Sequence, residues 1–312
     1  RVVQISSKIR LNQIARNIYI TALTRAAHGD RASGIVPERR QKLLKLAKDV
    51  WHEVAPASDD DTFNSGLGAA LCLCIVANDY EALSWAEELW DWASNEGFQL
   101  NDKKYRDYMR LLESYMQYDR VDELLFSWND HVKETDYVFL GGMMEITAQN
   151  YAWKRADTLW NVIVSLLGVK PNAIAYSAWS KTHLLCGRPR FAAQILDAAF
   201  SPDVQGKSDK IATDYVQVLL LVCHSSPTPT NIVRLKHAVE TNSYLIQQNS
   251  SRSIKQEWHL LKTVARRLQT APASLMLHDV LVAWKVKVQS VMKNWPNHAA
   301  GSNYLDAYES LS

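Results

Sequence analysis

Long apolar runs are missing from this sequence. The longest, Ala69–Ala77 and Val218–Cys223, fall far short of the ~20 residues a helix needs to cross a bilayer. No membrane span is expected, and membrane association is at most peripheral. Cysteine is scarce: the four residues Cys72, Cys74, Cys186 and Cys223 make no disulfide framework. Cys72 and Cys74 lie two apart, which places them on different faces of a helix. All four read as reduced core thiols. Sustained period-two alternation flanked by hairpin turns is absent, which argues against a sheet. Catalytic and ligand-binding signatures are absent too. The nine histidines never form His-Glu-x-x-His, and no Cys or His pair has zinc spacing. There is no Gly-Lys-Ser/Thr phosphate loop and no Gly-x-Ser-x-Gly elbow. Gly66-Leu-Gly68 opens like a dinucleotide fingerprint but lacks the third glycine and the preceding strand. Asp59-Asp60-Asp61 stands just ahead of an apolar periodic segment, where carboxylates cap helix amides and favour the dipole. No catalytic, cofactor or metal-binding residue is therefore assigned.

What charge there is lies unevenly. The net charge of +2 conceals +6 over residues 1–40, −8 over 41–250, +6 over 251–295 and −2 over 296–312. An acidic centre between basic ends is poorly suited to gripping a phosphate backbone along its length. The basic start is compatible with a mitochondrial matrix protein. Because the first residue is Arg1, a transit peptide is expected to have been removed already.

Apolar residues recur at spacings of three and four throughout, predicting helices. The tryptophans expose an internal repeat. Ala47-Lys-Asp-Val-Trp51 is followed by Ala86-Glu-Glu-Leu-Trp90, Leu124-Leu-Phe-Ser-Trp128 and Ala156-Asp-Thr-Leu-Trp160, and Ala192-Ala-Gln-Ile-Leu196 continues the series. A period near 35 residues marks a stacked array of helical hairpins. The small residue permits close helix approach, and the bulky one a turn later fills the gap between layers. Trp51, Trp90, Trp128 and Trp160 are thus expected in packing positions. Trp85, Trp92, Trp153 and Trp179 fall off that register and are the candidates for exposed contacts. First helices are predicted at Leu11–Ala27, Thr62–Ala77, Lys103–Gln117, Val138–Asn150 and Ile174–Cys186. Two further hairpins are predicted at Asp209–His224 with Asn231–Gln248, and at Ser253–Leu268 with Ala273–Lys293. Pro296 stops the last helix. His183, inside the most regular repeat, reads as a helix-face residue.

In Tyr176-Ser-Ala-Trp-Ser-Lys-Thr-His-Leu-Leu-Cys-Gly187-Arg188, glycine stands eleven residues after tyrosine, and Ala192 follows at sixteen. With the preceding Lys170-Pro171-Asn172 linker, this resembles a repeat of the pentatricopeptide family. A second unit runs from Tyr108 to Leu124, with Asp119 where that family has Gly and Leu124 where it has Ala. The resemblance is good over 101–200, weaker over 10–100, and only hairpin-like over 208–295. Tetratricopeptide repeats share the period but not the linker or the Tyr/Gly/Ala spacing. The resemblance implies an all-α fold, an alpha-alpha superhelix or solenoid. PPR-like hairpins would occupy 1–200, a less regular helical region 201–295, and a tail 296–312.

Members of that family usually read single-stranded RNA, one base per repeat, through the residue after the opening tyrosine. That position falls on Met109, Gly141 and Ser177, and only Ser177 can hydrogen-bond a base edge. Two functions are therefore expected. The first is a non-catalytic scaffold docking on protein subunits of a larger mitochondrial complex, in respiratory-complex assembly or on the mitoribosome. The second is an RNA-binding factor in organellar transcript maturation, stability or translation. It would bind through Ser177, Lys103, Lys104, Arg106 and Arg110, and through Lys262, Arg266 and Arg267 in the basic region near the end. Weak, sequence-indifferent contacts would also involve Arg16 and Arg25.

Overall fold

The computed structural model describes residues 12–32, 37–53, 60–77, 79–133, 135–226, 228–246 and 250–267, and these are helical with no strand among them. They gather into two compact units, one ending at His131 and the other starting at Val132. The first holds α1 (Gln13–Ala32), α2 (Pro37–Glu53), α3 (Asp60–Ala77), α4 (Tyr80–Asn95), α5 (Asp102–Ser114) and α6 (Tyr118–Ser127), followed by a 3-10 turn at Asn129–His131. The second holds α7 (Tyr137–Gln149), α8 (Trp153–Trp160), α9 (Ala173–Leu185), α10 (Pro189–Ala199), α11 (Asp209–Ser225), α12 (Pro229–Asn242) and α13 (Arg252–Arg267). Helix α8 runs on into a π-helical stretch, Asn161–Leu166. The expected hairpin partner at Ala273–Lys293 and the tail after Pro296 lie outside the described residues. No helix among the described residues is long and apolar enough to cross a membrane.

Within each unit the chain alternates. A first helix packs on its own second helix and on the next first helix: α1 on α3 and α3 on α5 in one unit, α7 on α9 and α11 on α13 in the other. Side chains tie successive first helices together. Asn17 Nδ2 donates to the Thr62 carbonyl at 2.9 Å, and Tyr115 Oη donates to the Cys74 carbonyl at 2.9 Å. Lys181 meets Glu145 at 2.8 Å. Several N-termini are capped by the residue types that accept from exposed amides. Asp79, Asn101, Asn172, Ser208 and Thr228 each accept from the amide three residues on. Asn172 belongs to the Lys-Pro-Asn linker, so that linker encodes a helix start. In the first unit Phe63, Leu67, Leu71, Trp85, Leu111 and Leu112 are fully buried. In the second, Leu196, Val216, Leu219, Leu235, Trp258 and Leu261 form one cluster. Each such side chain contributes about 1.5–3 kcal/mol on burial.

Gly66 and Gly68 are helix-packing glycines inside α3. A Cβ on Gly66 would stand 2.4 Å from Asn17 Oδ1, and one on Gly68 would stand 2.0 Å from Lys104 Nζ. Two residues apart on α3, they open one side to α1 and another to α5. Asp60 and Asp61 sit in the first turn of α3, and Asp60 Oδ1 accepts from the Gln99 amide at 3.4 Å.

The turn between first and second helices recurs. Its left-handed residue is Met116 (φ 59°) after α5, Tyr151 (φ 52°) after α7 and Gly187 (φ 71°) after α9. This corrects the repeat register. Met116, three residues before Asp119, is the counterpart of Gly187. Tyr105 rather than Tyr108 is then the counterpart of Tyr176, and Arg106 rather than Met109 that of Ser177. Ring geometry agrees. Trp90 meets Tyr105 at 5.2 Å and Tyr108 at 4.1 Å, while Trp160 meets Tyr176 at 4.9 Å and Trp179 at 4.2 Å. Where Leu196 replaces tryptophan, Phe200 stacks on Tyr215 at 5.0 Å.

Candidate functional site

Trp51, Trp128 and Trp160 are buried at 6 %, 2 % and 6 % exposure. Trp90 is only half-buried, one face on Tyr108. Trp92, Trp153 and Trp179 are half-buried, but Trp85, expected at the surface, is fully enclosed. It flanks Ala86 on the buried stripe of α4 that runs through Ala82, Leu89 and Ala93.

The cationic candidates divide by environment. Lys103 and Arg266 are exposed, and Lys262 is half-buried. Lys104 is buried, with its ammonium 3.1 Å from Asp107. Arg106 is half-buried, its guanidinium 5.3 Å from the Trp128 ring centroid. Arg110 is half-buried on the same helix. Arg267 ends α13, and its side chain is outside the described residues. Arg25 is exposed, whereas Arg16 is buried and so is no surface cation. Ser177 is half-buried near the start of α9, and Gly141 is buried with its Cβ position 3.9 Å from the Ala175 backbone. Met109 is wholly buried and reaches no base.

Two constellations escaped the sequence reading. The first is in the second unit, around His183, which is 1 % exposed. Arg188 Nη1 lies 3.2 Å from His183 Nδ1, and Asp157 Oδ1 lies 2.8 Å from Nε2. Arginine only donates, so Nδ1 accepts and Nε2–H donates to the carboxylate. Trp179 Nε1 donates to the same oxygen at 2.9 Å. Arg188 lies over Trp153 at 3.7 Å and Phe191 at 4.1 Å. Burial drives the His183 pKa below its ordinary value, the Asp157 hydrogen bond opposes this, and Arg188 lowers it further. A neutral imidazole with both nitrogens engaged is a structural clasp joining α8, α9 and the turn after it. Cys186, nearby in sequence, donates to the Tyr151 carbonyl at 3.3 Å. Its thiol is pushed up by burial, which disfavours the thiolate there.

The second constellation is a cleft of about 380 Å³ in the first unit, lined by Arg16 of α1, Trp51 and His52 of α2, and Trp85, Glu88, Leu89 and Trp92 of α4. Trp51 and Trp85 meet edge to face at 6.3 Å. The Arg16 guanidinium lies 4.3 Å from the Trp51 centroid. His52 and Glu88 are exposed, marking the open edge. All four cysteines are free thiols, with Cys74 and Cys223 buried and Cys72 and Cys186 partly so. No protein-family model matches this chain and no curated protein does.

Proposed function

We propose that this chain is a non-catalytic, pentatricopeptide-like solenoid of the mitochondrial matrix that docks on protein subunits of a larger complex, as an assembly factor or a mitoribosome-associated subunit. The observation that carries the proposal is a pair of apolar side chains at equivalent repeat positions. Val138 on α7 is 76 % exposed and Ile174 on α9 is 59 % exposed, and these neighbouring helices pack on each other. Each stands one turn before the position that reads a base in the resembling family, occupied here by Gly141 and Ser177. Gly141 has no side chain to offer a base. Exposed apolar groups at such positions favour a protein surface over a phosphate backbone. The acidic centre of the sequence supports the same reading.

RNA binding is the second reading, favoured by the exposed Lys103, Arg25 and Arg266. The two separate cleanly. Cross-linking in mitochondria followed by purification, with and without nuclease, is expected to recover protein partners that survive nuclease. The Val138→Asp, Ile174→Asp double variant should lose them. Titration with single-stranded RNAs at several salt concentrations should show weak binding with little sequence preference and a shallow salt dependence, about 0.7 in log–log slope for each phosphate engaged. Nanomolar affinity for one sequence at physiological salt, abolished by Ser177→Ala, would overturn the scaffold reading.

A further inference from the structure

The turns that follow α7 and α9 gather cations around two aromatic rings. Arg188 stands just ahead of α10, and its guanidinium carbon lies 3.7 Å from the Trp153 ring centroid and 4.1 Å from that of Phe191. The Lys154 ammonium lies 5.6 Å from the same Trp153 ring. Lys154 and Arg190 are the second residues of α8 and α10, and both are exposed. Phe191, next to Arg190, is 50 % exposed. Cations at a helix N-terminus lie against the dipole, and neither helix has an acid in its first turn or a side-chain cap. Among the described residues, Lys154, Arg188 and Arg190 form no ion pair. Asp157, one turn along α8, is engaged through Oδ1 by His183 and Trp179. Arg188 uses one N–H on His183, at 3.2 Å. Its Nε and Nη2 have no hydrogen-bond partner among the described residues and are not sealed from solvent. The guanidinium is thus held in place by two rings and an imidazole, with donors left over. Arginine in this state is suited to gripping carboxylates at an interface.

We infer that this patch docks an acidic peptide segment of a partner protein, its carboxylates pairing with Arg188, Lys154 and Arg190 and an apolar side chain covering Phe191. The unpaired cations set the sign of the partner. The exposed ring beside them calls for an apolar group next to the carboxylates. A nucleic-acid strand fits less well. It binds by laying bases on free aromatic faces, and Arg188 takes a face of both rings. The patch lies at the opposite end of α7 and α9 from Val138 and Ile174, so it is a second contact surface and does not rest on that one.

Fluorescence anisotropy of the full chain with labelled hexapeptides tests it. One peptide alternates Glu and Leu, the other has Gln in place of Glu, and an oligouridylate of equal length is measured beside them. The Glu peptide is expected to bind about tenfold or more tighter than the Gln peptide at low salt, the difference that charge-assisted pairs supply. Arg188→Met would also release His183, so the charges to reverse are the exposed ones. Lys154→Glu combined with Arg190→Glu should remove the preference. Phe191→Ser should weaken both peptides and keep it. Val138→Asp combined with Ile174→Asp should leave it unchanged, which separates this site from the surface proposed above. Equal binding of the two peptides, or a preference that survives the charge reversal, would overturn the inference. So would an oligouridylate that binds more tightly than the Glu peptide and is lost on the same reversal.

Discussion

Trp128 and Trp90 occupy the same place in the sequence signature and differ in what surrounds them. Trp128, 2 % exposed, is closed in by Tyr105 at 6.2 Å and by Arg106. Trp128→Ala should cost about 3–5 kcal/mol, the usual range for a buried tryptophan. Trp90→Ala, at a half-buried site, should cost about 1–2 kcal/mol, chiefly lost stacking on Tyr108. Urea melts of the two variants check the contrast, and equal losses would refute it. His183 gives a pH signature. Its folded-state pKa lies below the ordinary 6.5, so on acidification the unfolded chain takes up the proton first. Its contribution to stability is present above roughly pH 6.5 and is lost as pH falls through the folded value. His183→Gln should flatten the fall in stability between roughly pH 7 and 5. An unchanged slope in denaturant melts across that range would show that this histidine is not the sensor. The sequence could not reveal His183 as buried, because Asp157 and Arg188 flank it from a different helix and from a turn.

At the level of helices, spans were legible and the register between hairpins was not. Six of the predicted first helices, from Leu11–Ala27 to Asp209–His224, begin within about two residues of their observed starts, because apolar periodicity and capping residues act locally. The turn after α5 misled for a physical reason. Glycine is the usual sequence sign of a left-handed residue, and this turn places Met116 there instead, at φ 59°. Asp119 looked glycine-like by position alone. A non-glycine residue in that region carries about 1–2 kcal/mol of steric cost. Met116 is 57 % exposed, so little burial is at stake. Met116→Gly should therefore raise stability by up to about 1 kcal/mol, and Gly187→Ala should lower it by about the same amount. Thermal melts of both variants test this, and a destabilising Met116→Gly would show that the side chain contributes more than its backbone strain costs. The cleft was illegible for a related reason. Arg16, Trp51 and Trp85 come from three helices, and only their assembly shows that an arginine from the basic end is interred.

On the scale of the whole chain, the proposed solenoid predicts that damage stays local, because stacked repeats contact only their neighbours. Hydrogen exchange on Trp128→Ala should show lost protection in α5 and α6 and unchanged protection in α9 and α11, which belong to the other unit. Loss spread evenly across both units would mean that they unfold as one. The aromatic ladder has an optical consequence as well. Trp160 and Trp179 are stacked at 4.2 Å, with their planes 18° apart, and Trp51 and Trp85 stand nearly perpendicular at 6.3 Å. Indoles this close share their electronic excitations instead of absorbing separately. The far-ultraviolet circular dichroism should thus carry an exciton band of opposite-signed lobes on its long-wavelength edge, superimposed on the helical signal. Trp179→Phe should remove a large part of that band while the helical minima persist. The protein thereby carries its own reporter of interlayer packing, readable without any added label.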